Sequence, residues 1–501
     1  MADSSGEKLT YGGALVRGLI LAKWVRNQCL KDSMVGLLVP PSIGGALANI
    51  AVLLAGKVPV NLNFTAGREA MTSAIQQCGI RTILTSRIFL AKAKLEETEG
   101  MVFLEEVMKR VTSFQKVQTT VLALLFPSRL LQALYTHEGQ KPDSLATIIF
   151  SSGSTGIPKG VMLSHHNILS NVEGLAQVFW VTNKDRLMGV LPFFHSFGFT
   201  GSLWFPLLSG FGVVYHSNPL DAKTVGAMVS KHGATILIGT PTFYAAYLRK
   251  CTTEEFSSLR IAIVGAEKLR EPIANAFKEK YGLDLLEGYG CTELSPIVSV
   301  NIPDFEERTY RQTGLKPGTV GHPIPGITVK VVDPDTGDPR SYGEEGMLLV
   351  KGPNQMVGYL GQPEQTAEVL RDGWYVTGDI ASIDEDGFLR ITDRLSRFSK
   401  IGGEMVPHIR VEEAINRILA DQECIVTAIS DDQKGERLVV LYTRKEVTPE
   451  ALWNQLCQTD LPKLWIPKRE SLYYVETIPI LATGKVDLRQ AKIMAMEKVR
   501  G

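Results

Sequence analysis

The stretch Ala146-Thr-Ile-Ile-Phe-Ser-Ser-Gly-Ser-Thr-Gly-Ile-Pro-Lys-Gly-Val-Met-Leu-Ser-His165 changes character at one point. Up to Phe150 it is β-branched and apolar, as a buried strand requires; from Ser151 to Gly156 it is small or hydroxylated and cannot fill a core. Ser151, Ser152, Ser154 and Thr155 offer hydroxyls, while Gly153 and Gly156 let the backbone turn sharply and bring its N–H groups close to an anion. Lys159 adds a positive charge. Hydroxyls, bare amides and one lysine suit a polyphosphate, with Thr155 in reach of a magnesium ion. The spacing is not that of a Walker loop, because no Gly-Lys-Ser/Thr occurs in the chain. A flexible Ser/Gly surface turn is the alternative, disfavoured by the buried strand that runs into the loop and by the Pro-Lys-Gly exit.

Working outward, 501 residues exceed one ordinary core and point to about three structural units. A formal net charge of zero, with no long block of one sign, implies neither nucleic acid nor a strongly anionic surface as the main partner. Cys29, Cys78, Cys251, Cys291, Cys424 and Cys457 lie far apart without a Cys-x-x-Cys pair, which implies a reducing compartment and no structural zinc site. The first residues lack the basic and apolar regions of a signal peptide, so a cytoplasmic chain is expected. The uncharged run from Ser33 to Gly56 carries Pro40, Pro41, Gly44, Gly45 and Asn49 in its middle, and reads as strand, turn and buried helix rather than as a membrane span.

Residues 10–120 alternate helix and strand, which builds a doubly wound, mostly parallel sheet. The apolar run at 121–135, interrupted by Pro127 and Arg129, reads either as a helix packed on the domain, the commoner case, or as an interfacial segment in peripheral contact with the inner face of a membrane. After the Ser/Gly loop a helix at 166–179 and a strand at 186–191 lead to Leu191-Pro-Phe-Phe-His-Ser-Phe-Gly-Phe199, where His195 among aromatics is either core or pocket lining. Further strands end at Gly265-Ala-Glu267 and at Leu285-Leu-Glu-Gly-Tyr-Gly-Cys-Thr-Glu293, where open α/β sheets bind ligands. From about residue 314 short strands and Gly/Pro turns predict an antiparallel barrel or sandwich, and from 395 a small α+β domain. The expected architecture is therefore α/β: an amino-terminal domain at 1–394, with a β-rich part at 314–394, and a mobile carboxyl-terminal domain at 395–501.

The loops at 151–160, 191–198, 265–267, 287–293, 374–379 and 393–404, with Gly484-Lys485, resemble in order and spacing the motifs of the acyl-adenylate-forming superfamily, over almost the whole chain. More narrowly, Phe150-Ser-Ser-Gly-Ser, Leu191-Pro-Phe-Phe-His-Ser-Phe-Gly198, Gly265-Ala-Glu-Lys-Leu269, Glu287-Gly-Tyr-Gly290 and Arg397-Phe-Ser-Lys-Ile-Gly-Gly-Glu-Met-Val406 resemble the acyl-[acyl-carrier-protein] synthetase half of the bacterial 2-acylglycerophosphoethanolamine acyltransferase/acyl-carrier-protein synthetase.

The resemblance implies that a fatty acid reacts with ATP to acyl-AMP and pyrophosphate, and that a thiol then takes the acyl group and releases AMP. It assigns phosphate binding to Ser151, Ser152, Gly153, Ser154, Thr155, Gly156 and Lys159, and magnesium to Thr155 and Glu293. Gly265, Ala266, Glu287, Gly288 and Tyr289 would hold adenine, with Gly290 and Thr292 beside them, and Asp379 and Arg394 the ribose. Lys485 would bridge carboxylate and α-phosphate. His195, Phe197, Phe199, Trp204 and Gly265 would border the acyl channel, and Gly402 and Gly403 the thiol tunnel. Taken singly, Asp379 is equally a turn-forming acid, Arg394 a surface ion-pair partner, Lys485 a solvated lysine and Glu293 a cap. The family hinge residue is Asp or Lys where this chain has Arg397, and the Pro-Lys-Thr that usually precedes the last lysine is missing. The expected acceptor is the phosphopantetheine thiol of acyl carrier protein, with coenzyme A, as in a long-chain fatty acyl-CoA ligase, the alternative; a non-catalytic nucleotide- or acyl-binding protein is the rival of another class.

Overall fold

The computed structural model describes residues 1–500 apart from 128, 132–139, 152–157, 308–309, 395–396, 402–403, 420–423, 432–434 and 481–485. The chain folds as α/β, with a large amino-terminal and a smaller carboxyl-terminal domain. Met34–Leu38 pairs in parallel with Val58–Asn61 on one side and Ile83–Thr85 on the other, and Ile83–Thr85 with Met101–Phe103. Such strands are apolar throughout because both faces of a parallel sheet are covered. Helices Tyr11–Gln28 and Ile43–Leu54 begin where the Thr10 and Ser42 hydroxyls accept the N–H of Gly13 and Gly45. The run from Ser33 to Gly56 is thus strand, turn and buried helix, and no helix among the described residues is long and apolar enough to cross a membrane.

A second sheet of eight strands takes the order Ala2–Asp3, Gly212–Tyr215, Arg186–Gly189, Ile236–Gly239, Ile261–Val264, Leu285–Gly290, Ile297–Val300 and His322–Pro323. The first six run parallel, and Ile297–Val300 is antiparallel to both of its neighbours, Leu285–Gly290 and His322–Pro323. Leu285–Gly290 pairs in parallel as far as Glu287, then antiparallel from Gly288 onward, so Glu287-Gly-Tyr-Gly290 is the bent end of a strand rather than the expected loop. The chain can double back there because a Cβ at Gly290 would lie 2.0 Å from the Pro296 carbonyl oxygen.

The Ser/Gly stretch also departs from expectation. Sequence reading passes from loop to helix, whereas the structure inserts the strand Lys159–Ser164, antiparallel to Leu145–Ser151 with Ser151 opposite Lys159. Residues 152–157 therefore join two hairpin strands. The cause lies in Gly160, Val161, Leu163 and Ser164, all buried, which need a partner for their backbone as well as cover for their side chains. The helix His165–Phe179 follows at once, opened by a capping box of Ser164 and Asn167.

Downstream, an antiparallel sheet is built from Thr328–Val332, Gly346–Lys351, Trp374–Ile383 and Leu370–Arg371, with Leu389–Arg394 on Trp374–Ile383. A separate sheet orders Glu404–Pro407, Phe398–Ile401, Gly435–Tyr442 and Cys424–Asp431, with Leu472–Tyr474 beside Gly435–Tyr442. Val411, Ile415, Leu438, Val440 and Leu452 form its core against helices His408–Leu419 and Pro449–Leu456. The segment 393–404, expected as a loop, holds the hairpin strand Phe398–Ile401.

Candidate active site

Three strand ends converge on one edge of the eight-stranded sheet. Gly265 follows Ile261–Val264, and a Cβ there would sit 3.3 Å from the Gly288 carbonyl oxygen and 3.4 Å from the Phe197 ring. The lack of a side chain thus lets the strand ends and the aromatic loop meet at one point. Ala266 takes a left-handed backbone at φ +68°, a strained conformation for a residue with a Cβ. The turn is pinned from two sides: the Thr242 hydroxyl donates to Glu267 Oε2 at 2.7 Å, and the Leu269 N–H donates to Glu287 Oε1 at 2.9 Å. Burial pushes the Glu287 carboxyl up to about 7, against the Leu269 N–H and the charge of Lys268.

Asp379 is 3% exposed near the middle of Trp374–Ile383. Its Oδ1 accepts from Arg394 Nε at 2.9 Å, its Oδ2 from the Tyr289 hydroxyl, and its backbone N–H donates to the Thr377 hydroxyl at 3.0 Å. Burial pushes the Asp379 carboxyl up, and the guanidinium and the tyrosine hydroxyl pull it back. Strand register explains the pair, since Asp379 stands opposite Arg394. A turn-forming acid would be exposed; this one is buried and held at both oxygens.

Glu293 Oε1 accepts from the Tyr359 hydroxyl at 2.9 Å, and Lys159 Nζ stands 5.0 Å from the centre of the same ring. Tyr359 sits on the short strand Gly358–Tyr359, paired with Val161 two residues from Lys159. One buried tyrosine therefore spaces a cation and a carboxylate. Oε2 of Glu293 is a hard oxygen of the kind magnesium takes, and magnesium sites commonly use one carboxylate completed by substrate phosphates. The donor set fits that ion.

The aromatic loop closes the circuit. The Ser196 and Thr292 hydroxyls lie 3.2 Å apart, tying residues 191–198 to the turn Thr292–Leu294. Phe197 is half-buried on Gly265, and Phe199 is wholly buried, 5.9 Å from the half-buried Trp204 in edge contact. Both lie in or beside the π-helical turn Gly198–Trp204, a wide turn that recurs at functional sites. His195 is exposed, its ring 4.7 Å from that of Phe194. Burial, with Glu293 and Asp379 nearby, pushes the Cys291 thiol up and keeps it a neutral packing group.

The structure brings together Ser151, Lys159, Phe197, Gly265, Glu287, Gly288, Tyr289, Thr292, Glu293, Asp379 and Arg394. Ser152, Gly153, Ser154, Thr155, Gly156, Gly402, Gly403 and Lys485 lie outside the described residues. Sequence reading did not single out Tyr359, Ser196 or Thr377. Tyr359 carries the one usable signal, a tyrosine between two glycines, Gly358-Tyr-Leu-Gly361, which is weak alone.

A model described as "AMP-binding enzyme" matches residues 1–360. A long-chain-fatty-acid–CoA ligase of Bacillus subtilis is 29% identical over 96% of this chain and 89% of its own. A feruloyl-CoA synthase of an Amycolatopsis species is 32% identical over 69% and 68%. The ATP-bound crystal structure of MatB from Rhodopseudomonas palustris superposes with a TM-score of 0.80 at 26% identity, covering 99% of this chain and 95% of that one. The family model spans well over half the sequence and, of the described residues that build this site, all but Thr377, Asp379 and Arg394, so the chain belongs to the AMP-binding enzyme family.

Proposed function

We propose that this protein is an acid–thiol ligase that activates a long-chain fatty acid with ATP and passes the acyl group to coenzyme A. The observation that carries the reading is the pair of charged constellations, Lys159–Tyr359–Glu293 and Tyr289–Asp379–Arg394, whose two carboxylates both lie near Cys291 just after the Gly288 that meets Gly265. A nucleotide bound at these strand ends would turn its phosphates toward Lys159 and its ribose toward Asp379.

In the first step a carboxylate oxygen of the acid attacks the α-phosphorus. The bond to the β-phosphate oxygen breaks, and pyrophosphate leaves as acyl-AMP forms. Lys159 offers a cation to the phosphates, and Glu293 would hold magnesium, which would supply positive charge opposite the leaving pyrophosphate. Both acceptor oxygens of Asp379 suit the ribose hydroxyls, with Arg394 orienting the carboxylate. Ala266 and the Glu287–Tyr289 strand end flank the adenine. In the second step a thiol attacks the acyl carbonyl and AMP departs. Lys485 is assigned to the first step and Gly402-Gly403 to the thiol tunnel of the second. A boundary at 394/395, with Arg397 as hinge, lets the small domain exchange them.

Relatives along nearly the full length are named for long-chain fatty acids and coenzyme A, which moves the acceptor from the carrier protein expected from sequence to coenzyme A. The motifs at 191–198 and 397–406 favour the carrier protein as the second reading. ATP-dependent loading of a long-chain fatty acid, run in parallel on coenzyme A and on holo acyl carrier protein, separates the two. Acyl-CoA as the main product is expected; acylated carrier protein alone would restore the other acceptor. Absence of fatty-acid-dependent pyrophosphate release, in the parent as in Lys485→Ala, would leave a binding protein and sink the reading.

A further inference from the structure

Helix Ser113–Leu125 turns its apolar side the wrong way for a helix of a water-soluble surface. A capping box at Thr112 and Gln115 opens it, and it packs on the helix Tyr11–Gln28 through a side that includes the buried Thr119. Phe114, Val117, Val121, Leu124 and Leu125 recur at helical spacing within an arc of about 100°. Phe114 is 75% exposed, Leu124 77% and Leu125 74%. Surface helices bury that stripe and show water their polar residues; here the stripe faces away from the protein. Single exposed apolar side chains are ordinary, but a contiguous row of five marks a contact surface.

The charge around the row selects its occupant. Lys116 is the only charged residue in the helix, Lys109 and Arg110 precede it, and Arg129 follows; no acidic residue occurs between Glu106 and Glu138. All four cations are exposed. Past Pro127 the row continues in Leu130, also exposed. An apolar stripe about two bulky residues deep with basic residues at both ends matches the boundary of an anionic bilayer, where leucine and phenylalanine enter the acyl region and lysine and arginine meet the headgroup phosphates. An acidic protein partner would match the cations and leave the leucines uncovered by polar surface.

We propose that helix Ser113–Leu125 is a docking surface for an anionic lipid bilayer. The contact is interfacial, with the helix axis in the membrane plane. It goes beyond the ligase reading and stands without it, because lipid binding is measured with neither ATP nor acid present.

The test is co-sedimentation of the purified full chain with phosphatidylcholine vesicles, with and without about 30 mol per cent phosphatidylglycerol. The parent should bind the anionic vesicles about tenfold more tightly than the neutral ones, and salt should weaken the difference. L124E/L125E should lower binding to anionic vesicles at least about tenfold, and K109E/R110E should erase the preference for phosphatidylglycerol. These side chains face water, so the unfolding temperature should stay at the parent's value, which separates lost docking from lost folding. Binding of L124E/L125E equal to the parent's overturns the proposal, as does a parent that binds neither vesicle. Self-association in lipid-free buffer that L124E/L125E abolishes would also overturn it, by showing the stripe to be an interface between copies. Pyrophosphate release with a short, water-soluble acid should be unchanged in both variants, so a failed ligase reading and a failed docking surface give different results.

Discussion

Tyr359→Phe removes one hydroxyl and keeps the ring beneath Lys159, so it isolates the bond to Glu293 Oε1. A hydrogen bond to a charged group contributes about 1.5–3 kcal/mol, which corresponds to a fall of about tenfold to a hundredfold in adenylation. The loss should be accompanied by a higher magnesium requirement, read by pyrophosphate exchange over a magnesium titration; an unchanged requirement would place Glu293 outside the metal site. Glu287 supplies a second test through pH. Its carboxyl, raised by burial to about 7 from 4.5, binds a proton more tightly folded than unfolded. Its ionisation therefore removes stability as pH rises from about 4.5 to about 7, by on the order of 3 kcal/mol, and adds no further loss above that range. Glu287→Gln keeps an oxygen for the Leu269 N–H and cannot ionise. The variant should gain on the parent in chemical unfolding as pH rises from about 5 to 8, and a constant difference would show that Glu287 does not carry the effect.

At the scale of elements, the strand Leu285–Gly290 matters because it changes partners in mid-course. That reversal places Tyr289 against Asp379 and Glu293 against Tyr359 in one site. Gly290→Ala would set a Cβ at 2.0 Å from a backbone oxygen, which no rotamer relieves. A loss of about 3 kcal/mol or more in stability is expected, with magnesium-dependent activity falling with it; a variant as stable as the parent would show that the bend tolerates a side chain. The hairpin Leu145–Ser151 and Lys159–Ser164 acts in the same way, since its register alone fixes Lys159 at the base of the loop.

At the scale of the whole molecule, the large and small domains meet through charge. Asp393, on the last strand of the antiparallel sheet, accepts the Ile409 N–H at 3.2 Å near the start of helix His408–Leu419, and its Oδ1 lies 4.0 Å from Arg397 Nε. The Arg397 guanidinium also pairs with Glu412. Burial pushes Asp393 up to about 6 and raises Glu412, with Arg397 opposing both. Lys268 meets Glu413 at 2.7 Å across the same junction, a surface pair that adds about 0–1 kcal/mol. Arg397→Ala strips two buried carboxylates of their cation and should cost about 3–5 kcal/mol near neutral pH. The cost should shrink as pH falls toward about 5, because the carboxyls then take up protons. Thermal unfolding of parent and variant across that range checks it; a loss independent of pH would reduce Arg397 to a packing role.

Sequence alone determined the α/β class, the alternation of helix and strand, the strand, turn and helix of the Ser33–Gly56 run, and the short list containing Lys159, Glu287, Glu293, Asp379 and Arg394. The elements follow from local hydrophobic period, and Lys159 from the small and hydroxylated cluster before it, both written in neighbouring positions; Glu287, Glu293, Asp379 and Arg394 are picked out by the order of the motifs that resemble the acyl-adenylate-forming superfamily. Tertiary structure decided which of those residues meet. The strand after the Ser/Gly loop, the bend at Gly290 and the hairpin at Phe398–Ile401 depend on partners far along the chain, and Tyr359 joins Lys159 to Glu293 from 66 residues beyond the latter. It also decided that the row from Phe114 to Leu125 points outward. A helical period marks a face, and only packing settles whether that face is turned toward the core.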